Sequence, residues 1–241
     1  MLPSETSDLG KTFKEYFEIV PAYSDALKDE VYRIRHQVYC EELAFEPQRP
    51  DKRESDEYDA HSLHVLLRSV HIDQYVGCMR LVRARPEDPD YPLPFEKSCA
   101  ATLDRSIVDP AKLPRDTVAE GSRLAVIALF RQRKGEANSP LGLQEHSGTP
   151  AQPRFAYIPV ALHYGVIELA RVNGIDALFA LAEERLANYY NRVGITNQRI
   201  GGAIELHGQR FPVILRPTGI INNLSDEYRS LYRIIAAEIA Q

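Results

Sequence analysis

The segment VAEGSRLAV, residues 118–126, predicts a strand that carries charged side chains among small and apolar ones. Successive side chains of a strand point to opposite faces of the sheet. One face is predicted to hold Val118, Glu120, Ser122, Leu124 and Val126, and the other Ala119, Gly121, Arg123 and Ala125. The small residues on the second face indicate room for another group beside this strand.

The chain before this strand alternates between strand and helix patterns. FEIVPA, from Phe17, predicts a strand, and apolar residues at helical spacing after the N-cap Ser24 predict an amphipathic helix. SLHVLLR and YVGCMRLVR predict a hairpin that turns near Asp73. Residues 1 to about 15 are predicted to be a loose arm or a short helix, and residues 85–114 an irregular excursion with one short helix.

The chain after this strand continues the alternation. A helix is predicted from Ile158 to the stop signal Asn173–Gly174, followed by the strand IDALFALA and the helix EERLANYYNRVG. Residues 197–217 predict a strand pair around His207 and Gly208, and the tail from Ser225 predicts a helix. This order predicts a mixed α/β protein of a single domain, residues 1–241, with a flexible insertion at about 135–154.

Composition limits the classes of function. The 241 residues are 44% apolar with a formal net charge of -5, which argues against non-specific binding to nucleic acid. The three cysteines lie far apart, without the spacing of a zinc site, and favour a reducing compartment. The N-terminal segment has no apolar core of a signal peptide, and no run reaches the roughly 18 apolar residues that span a bilayer. We therefore predict a cytoplasmic protein that does not span a membrane.

Polar residues on the predicted elements form a second set of candidates. Arg35 lies one turn before Tyr39 at the margin of an apolar helix stripe. Arg80 shares a strand face with apolar residues, where a charge needs a carboxylate partner, and Asp56 and Asp59 precede it. These residues are predicted to form either an ion-pair network that ties helix to sheet or part of a binding site.

Three other patterns are assigned no catalytic role. Asp59, His61 and His64 suggest a metal cluster, but a strand that begins at His64 places the two histidines on opposite faces, so we predict no metal. His207, next to Gly208 in a predicted turn, is interpreted as structural. The sequence contains no G-x-S-x-G elbow and no Walker loop, which disfavours a hydrolase or nucleotide enzyme.

These residues resemble the signature of acyl-homoserine-lactone synthases. The matching residues are Arg35, Tyr39, Phe45, Asp56, Asp59, Arg80, Glu120 and Arg123. Phe45 stands where those synthases usually carry tryptophan, and this chain has none. The segments VYRIRHQVYCEELAF and IGGAIELHGQRFP are more similar to acyltransferases associated with PEP-CTERM/exosortase systems and to N-acyl amino acid synthases.

The resemblance, which covers about residues 15–216, implies the GNAT fold. In this fold a mixed sheet flanked by helices splays open between two central strands to admit an acyl thioester. Here those strands are VAEGSRLAV and IDALFALA. The acyl donor implied is acyl carrier protein or acyl-CoA, with no bound cofactor, and the second substrate is a small amine.

The resemblance also implies a site for the donor. Residues 132–137, QRKGEA, fit the loose phosphopantetheine loop of the superfamily, or are a solvated basic loop. The donor-binding residues implied are Leu124, Val126, Ile127, Arg131, Arg133, Lys134 and Gly135.

The implied reaction is attack of an amine on the thioester. A carboxylate must accept the proton of the amine, and Glu120 is the candidate, with Ser122 to fix it or the amine. Tyr190 lies where many GNAT enzymes keep a tyrosine that protonates the leaving thiolate. Arg35, Tyr39, Phe45, Asp56, Asp59, Arg80 and Arg123 are predicted to shape the amine pocket.

Three functions remain open on the sequence. The first is an N-acyltransferase that moves a fatty acyl group to an amino acid or similar amine. The second is an acyl-homoserine-lactone synthase that uses S-adenosylmethionine, and the third is a non-catalytic lipid-binding module on the same scaffold.

Overall fold

The computed structural model describes residues 8–131 and 157–241. Within these ranges, eight strands form one sheet with helices on both faces. The strands are β1 (Phe17–Pro21), β2 (Ser62–Ser69), β3 (Gln74–Arg83), β4 (Val118–Val126), β5 (Ala177–Ala182), β6 (Asn197–Arg199), β7 (Ile204–Glu205) and β8 (Gln209–Leu215). The helices are α1 (Leu9–Tyr16), α2 (Asp25–Arg35), α3 (Pro94–Ser98), α4 (Ala128–Arg131), α5 (Ile158–Val172), α6 (Glu184–Arg192), α7 (Pro217–Asn222) and α8 (Asp226–Ile239).

The sheet is mostly antiparallel. Its strand order is β1-β2-β3-β4-β5-β8-β6, and β7 pairs with β8. Only β4 and β5 run parallel among these pairs. The predicted mixed α/β architecture is confirmed, and β4 and β5, near the middle of the sheet, each have one parallel and one antiparallel neighbour.

Two apolar layers cover the sheet. Helix α5 is buried almost along its whole length, between the sheet and α8. It ends at Val172, and its C-cap Asn173 is followed by Gly174 with φ of +71°, as the stop signal predicts. Helices α2 and α3 cover the opposite face, where Val31 and Phe95 enter the core. The Ser24 hydroxyl caps α2 by accepting a hydrogen bond from the Leu27 amide, at 3.3 Å.

The predicted strand pair around His207 is only partly right. Its first strand is divided into β6 and β7, because the chain at Gly201 and Gly202 meets Thr102 from the excursion between β3 and β4. The Gly202 amide donates a hydrogen bond of 2.7 Å to the Thr102 carbonyl. A Cβ atom on Gly201 would lie 2.7 Å from the same oxygen, so only glycine fits this close approach.

Candidate active site

The sheet opens between β4 and β5. These strands pair only where Val118–Glu120 lies beside Ala177–Phe179. Beyond these pairs, β4 continues to Val126 and β5 to Ala182 without pairing with each other. A cavity of about 320 Å³ lies where the strands part. The predicted splay between these two strands is confirmed.

The cavity passes through the sheet, so residues from both faces line it. On the face of α2 and α3, which we call the polar side, the lining includes Tyr39, Phe45, Arg80, Glu120, Ser122, Arg123, His207 and Arg210. On the face of α5, which we call the apolar side, it includes Met79, Val166, Ile167, Leu178, Leu186, Val213 and Leu215. The arrangement suits a ligand with one polar and one apolar end.

A bulge in β4 shapes the polar side. Arg80 pairs with Ser122 and Cys78 pairs with Ala125, so β4 has one more residue than β3 between these pairs. Arg123 within this interval has φ of +53°, in the left-handed region. Such a backbone is rare for a residue with a side chain and is often found at functional sites.

The bulge corrects the predicted alternation of β4. Val126 packs in the core on the α5 face, whereas Ala125 packs with Val31 on the α2 face. Strict alternation predicted the reverse for both residues. The Arg123 side chain likewise turns to the side of Glu120, because it reaches Glu54 and Asp56, the partners of the α2-face arginines. The extra residue is the physical reason, since it inverts the faces beyond it.

Arg35 is fully buried beneath this side of the cavity. Its Nε donates a short hydrogen bond to Glu54, and its Nη1 donates one of 2.7 Å to Asp59. Burial works to lower the pKa of Arg35, but these two carboxylates raise it above its usual value. Arg35 is therefore a permanent cation that holds two acidic side chains in place.

Arg80 joins the network to the strand that carries Ser122. Its Nε donates to the Ser122 hydroxyl oxygen at 3.1 Å, and its Nη1 donates to Asp56 at 2.6 Å and Asp59 at 2.9 Å. Asp56 and Asp59 also bond each other's main chain around a 3₁₀ helix, Glu57–His61. This capping box fixes both carboxylates before any ligand binds.

Arg123 completes the network. It donates to Glu54 at 3.3 Å and to Asp56 at 3.2 Å. Three arginines therefore face three carboxylates, and the network is balanced in charge. The sequence predicts a network of Arg35, Asp56, Asp59, Arg80 and Arg123, and the structure confirms that these residues are connected by ion pairs.

Two features of this network differ from the sequence analysis. Arg35, Asp56 and Asp59 do not line the cavity, and the ion pairs connect them to Arg80 and Arg123, which do. Glu54 was missed, because the adjoining acidic residues, such as the exposed Glu57, give no signal that would separate a buried carboxylate from a solvated one.

Aromatic rings form one wall of the polar side. The chain continues from α2 into a π-helix, His36–Glu42, which carries Tyr39. The Tyr39 hydroxyl donates a hydrogen bond of 2.7 Å to the Leu124 carbonyl in the bulge. The Phe45 ring lies 6.5 Å from that of Tyr39 and stacks on His207 at 4.3 Å. His207 thus covers the cavity, a position that its predicted turn did not reveal.

Glu120 lies on the polar side at the point where β4 and β5 part. The side chain is buried, and its Oε2 accepts a hydrogen bond of 2.7 Å from the Phe95 amide of α3. Burial raises the pKa of Glu120 to about 7, although the Phe95 amide and Arg80 oppose this change. A carboxyl with this pKa exists in both protonation states near neutral pH, as a general base requires.

Tyr190 and His163 lie together on the α5 face of the cavity. Their rings are 4.2 Å apart. The Tyr190 hydroxyl is buried without a hydrogen-bond partner among the described residues, and burial raises its pKa well above 10. His163 Nδ1 lies 2.8 Å from the Pro159 carbonyl, so this nitrogen carries the hydrogen. Burial lowers the pKa of His163 to about 4, and the ring is neutral.

The end of β4 is engaged by the protein itself. The Ile127 amide donates to the Val76 carbonyl at 2.9 Å. The Ala128 amide donates to the Glu42 carboxylate at 3.0 Å, and Arg131 donates to the same group at 2.9 Å. With its side chain only 7% exposed, Arg131 is tied to Glu42, which the sequence analysis did not expect.

Only some of the other predicted donor-binding residues belong to the described part of the chain. Of these, Leu124 lines the cavity, whereas Val126 does not. Arg133, Lys134 and Gly135, with the predicted insertion at about 135–154, lie outside the described residues.

Residues 8–131 and 157–241 contain neither a cluster of metal-ligating side chains nor a helix that could cross a membrane. No group of three or more His, Cys, Asp and Glu side chains in these ranges is arranged to hold a metal ion. None of their helices combines the length and the apolar character needed to cross a membrane.

The sequence and the fold were compared with known proteins. Residues 34–138 match the sequence model of the acetyltransferase (GNAT) domain. No curated protein sequence matches the chain. The matched segment includes Arg35, the bulge and Glu120.

Solved structures share this fold at low sequence identity. The AHL synthase LasI has a TM-score of 0.58 at 16% identity, over 90% of this chain and 94% of that one. BjaI, a CoA-dependent acyl-homoserine lactone synthase with SAM and isopentyl-CoA, has a TM-score of 0.56 at 16% identity, over 94% and 90%. FeeM, an N-acyl amino acid synthase from uncultured soil microbes, has a TM-score of 0.54 at 13% identity, over 86% and 94%.

Proposed function

We propose that this chain is an N-acyltransferase that moves a fatty acyl group from a thioester to the amino group of an amino acid or a similar amine. The observation that carries the proposal is the position of Glu120. Its carboxyl, with a pKa of about 7, lies where a polar pocket meets an apolar one in the opening of the sheet. The apolar side suits an acyl chain, and the polar side suits an amine.

The residues of the cavity support a complete reaction. Glu120 accepts the proton of the amine as the nitrogen attacks the thioester carbonyl, which forms the C–N bond. Collapse of the tetrahedral intermediate breaks the C–S bond, and the thiolate takes a proton from Tyr190. The tyrosinate then regains a proton from solvent as Glu120 releases the proton of the amine to solvent. Burial keeps the Tyr190 hydroxyl protonated, so it is available as the acid. Ser122, held by Arg80, is placed to orient the amine.

The acyl donor is proposed to be acyl carrier protein or acyl-CoA, since both present the same thioester arm. The segments that resemble PEP-CTERM/exosortase-associated acyltransferases and N-acyl amino acid synthases support the acceptor assignment. They meet at the polar side, where Phe45 from the first stacks on His207 from the second.

The experiment supplies the purified protein with decanoyl-CoA or decanoyl carrier protein, the twenty amino acids and S-adenosylmethionine. We expect thiol release and a new N-decanoyl amino acid by mass spectrometry. A lactone with methylthioadenosine would instead identify the synthase reaction. Absence of turnover with both donors, despite binding of the acyl thioester, would favour the lipid-binding module.

Glu120→Gln is the decisive variant. It keeps the hydrogen bond from Phe95 but cannot accept a proton, so turnover should fall about 100-fold or more. Glu238→Gln is the matched control. Burial raises the pKa of Glu238 to about 7 as well, and it accepts a main-chain hydrogen bond from Ile19, but it does not line the cavity. Equal turnover in the two variants would remove Glu120 from the role.

A further inference from the structure

Among the described residues, three arginines line the cavity: Arg80, Arg123 and Arg210. Two of them belong to the balanced network, in which every guanidinium is matched by a carboxylate of the protein. A substrate carboxylate that approached Arg80 or Arg123 would compete with Asp56 and Glu54, and would add a negative charge to a neutral cluster. The network is therefore poorly suited to hold an acidic substrate.

Within residues 8–131 and 157–241, Arg210 has no comparable partner. The nearest carboxylate in these ranges is that of Glu183, at 4.0 Å, and the two side chains are 21% and 43% exposed. A contact at this distance and exposure is weak. The Nε atom of Arg210 is buried and has no hydrogen-bond acceptor among the described residues. A buried donor without an acceptor is costly, and a ligand oxygen would satisfy it.

Strand register places Arg210 on the polar side of the cavity. Phe211 pairs with Ala182 at the end of β5, so Arg210 lies beside the open end of the splay. Side chains alternate along β8, and Ile214, of the same parity as Arg210, packs on the α3 face of the sheet. Glu120 accepts its hydrogen bond from α3 on that same face.

The hairpin of β7 and β8 holds this position. It turns through His207, with φ of +50°, and Gly208, with φ of +101°. The Leu206 amide closes the turn by bonding the Gly208 carbonyl at 2.9 Å. Because His207 stacks on Phe45, the hairpin is fixed against the opposite wall of the cavity. Arg210 is thus held at the cavity before a substrate arrives.

We propose that Arg210 binds the carboxylate of the amine acceptor, so that the acceptors are amino acids and not simple amines. The inference rests on the proposed function and names its substrate class. The edge of the guanidinium that carries Nε matches the two oxygens of a carboxylate. Arg210 and Glu120 line the same cavity, so an acceptor held by Arg210 shares the site with the proposed base.

The test measures binding of the reaction products, which requires no turnover. Each pair consists of an N-decanoyl amino acid and the amide that lacks its carboxylate. The pairs are N-decanoylglycine with N-decanoylmethylamine, N-decanoyl-leucine with N-decanoyl-3-methylbutylamine, and N-decanoylphenylalanine with N-decanoylphenethylamine. Calorimetry on the full chain should show about 10- to 100-fold tighter binding of the acid in at least one pair.

Variants assign that preference to a side chain. Arg210→Gln should abolish it and leave the affinity of the neutral amide unchanged, and Arg210→Lys should keep part of it. Arg216→Gln is the matched control, because Arg216 adjoins the other end of β8, is exposed and does not line the cavity. This control should keep the whole preference.

The outcomes are separable. No preference for the acid in any pair, or a preference that survives Arg210→Gln, would overturn the assignment. Weaker binding of free coenzyme A in Arg210→Gln, with the acid preference intact, would also overturn it, because the anion would then be a phosphate of the donor. The turnover assay reports on the proposed function separately, since product binding decides the role of Arg210 even if no amide forms.

Discussion

The Phe95 amide donates a hydrogen bond of 2.7 Å to Oε2 of Glu120, and so connects the excursion between β3 and β4 to the floor of the cavity. This contact orients the carboxyl without neutralising it. Burial still raises its pKa to about 7. The protein therefore keeps a group that is unfavourable to ionise at the point where a proton acceptor is needed, as sites that perform acid–base chemistry often do.

This arrangement predicts a pH-dependent gain of stability in Glu120→Gln. The unfolded carboxyl titrates near 4.5 and the folded one near 7, so the folded state binds more protons between these values. Glu120 should therefore contribute a fall of about 3 kcal/mol to the free energy of unfolding of the wild type as the pH rises through this window, and comparison with Glu120→Gln separates this share from that of Glu238. Urea unfolding at pH 5 and pH 8 measures it.

Glu120→Gln has no carboxyl to titrate at this position and lacks this loss of stability. Its free energy of unfolding should therefore increase relative to that of the wild type from pH 5 to pH 8. Its turnover should be low at both values. Parallel stability curves for the two proteins would contradict the raised pKa, and would weaken the case for Glu120 as base.

A second prediction concerns Asp59→Asn. Burial works to raise the pKa of Asp59, but Arg35 and Arg80 outweigh it and hold the pKa well below its usual value. Removing the charge leaves a buried network with one excess cation, which should cost about 3–5 kcal/mol at pH 7. The difference in the free energy of unfolding between the wild type and the variant should shrink as the pH falls below about 3.9. Below this value Asp59 is protonated in the unfolded wild-type chain, whereas its lowered pKa keeps it ionised in the folded protein.

Kinetics separate a structural role of Asp59 from a binding role. Because Asp59 does not line the cavity, the KM for the amine should stay unchanged at a temperature where the variant is folded. Asp29→Asn, which breaks an exposed pair with Arg53, is the control and should cost less than about 1 kcal/mol. A raised KM for the amine in folded Asp59→Asn would place the network in substrate binding.

The sequence predicts the regular part of this fold because periodicity records which side of an element is buried. The pattern of VAEGSRLAV correctly placed Glu120 and Ser122 on one face. It assigned the wrong faces beyond Ser122, because the order of polar and apolar residues does not indicate that Arg123 adopts a left-handed backbone conformation. The π-helix after Arg35 is hidden for the same reason, since its residues suit an α-helix equally well.

The site was predicted in part for a related reason. Arg35 and Arg80 were recognised because a charge among apolar neighbours needs a partner. Glu54 was missed because it lies among polar residues in the sequence, and Arg210 because it stands at the edge of an apolar run, next to the predicted turn. Only the tertiary structure buries the Glu54 carboxylate and the Nε of Arg210. Long-range packing, which places His207 on Phe45, has no local signal either.

The backbone at Arg123 predicts an unusual order of stabilities. Arg123→Gly and Arg123→Ala both remove the contacts with Glu54 and Asp56. Only glycine adopts φ of +53° without strain, so the glycine variant should be more stable by about 1 kcal/mol. At Ser122, where φ is not positive, alanine should be the more stable, which provides the matched control. The same order at both positions in thermal unfolding would contradict the bulge.

The final prediction concerns Tyr190, whose hydroxyl is buried, unpartnered among the described residues and beside the neutral ring of His163. If it protonates the leaving thiolate, Tyr190→Phe should lower kcat about 10- to 100-fold with decanoyl-CoA, because an alkyl thiolate is a poor leaving group. With a decanoyl ester of thiophenol, whose thiolate leaves without a proton, the loss should nearly vanish. Tyr189→Phe is the control, since Tyr189 does not line the cavity. Removing an unsatisfied hydroxyl should not destabilise the fold, so an equal loss of kcat with both thioesters would reflect altered packing and would withdraw the acid role from Tyr190.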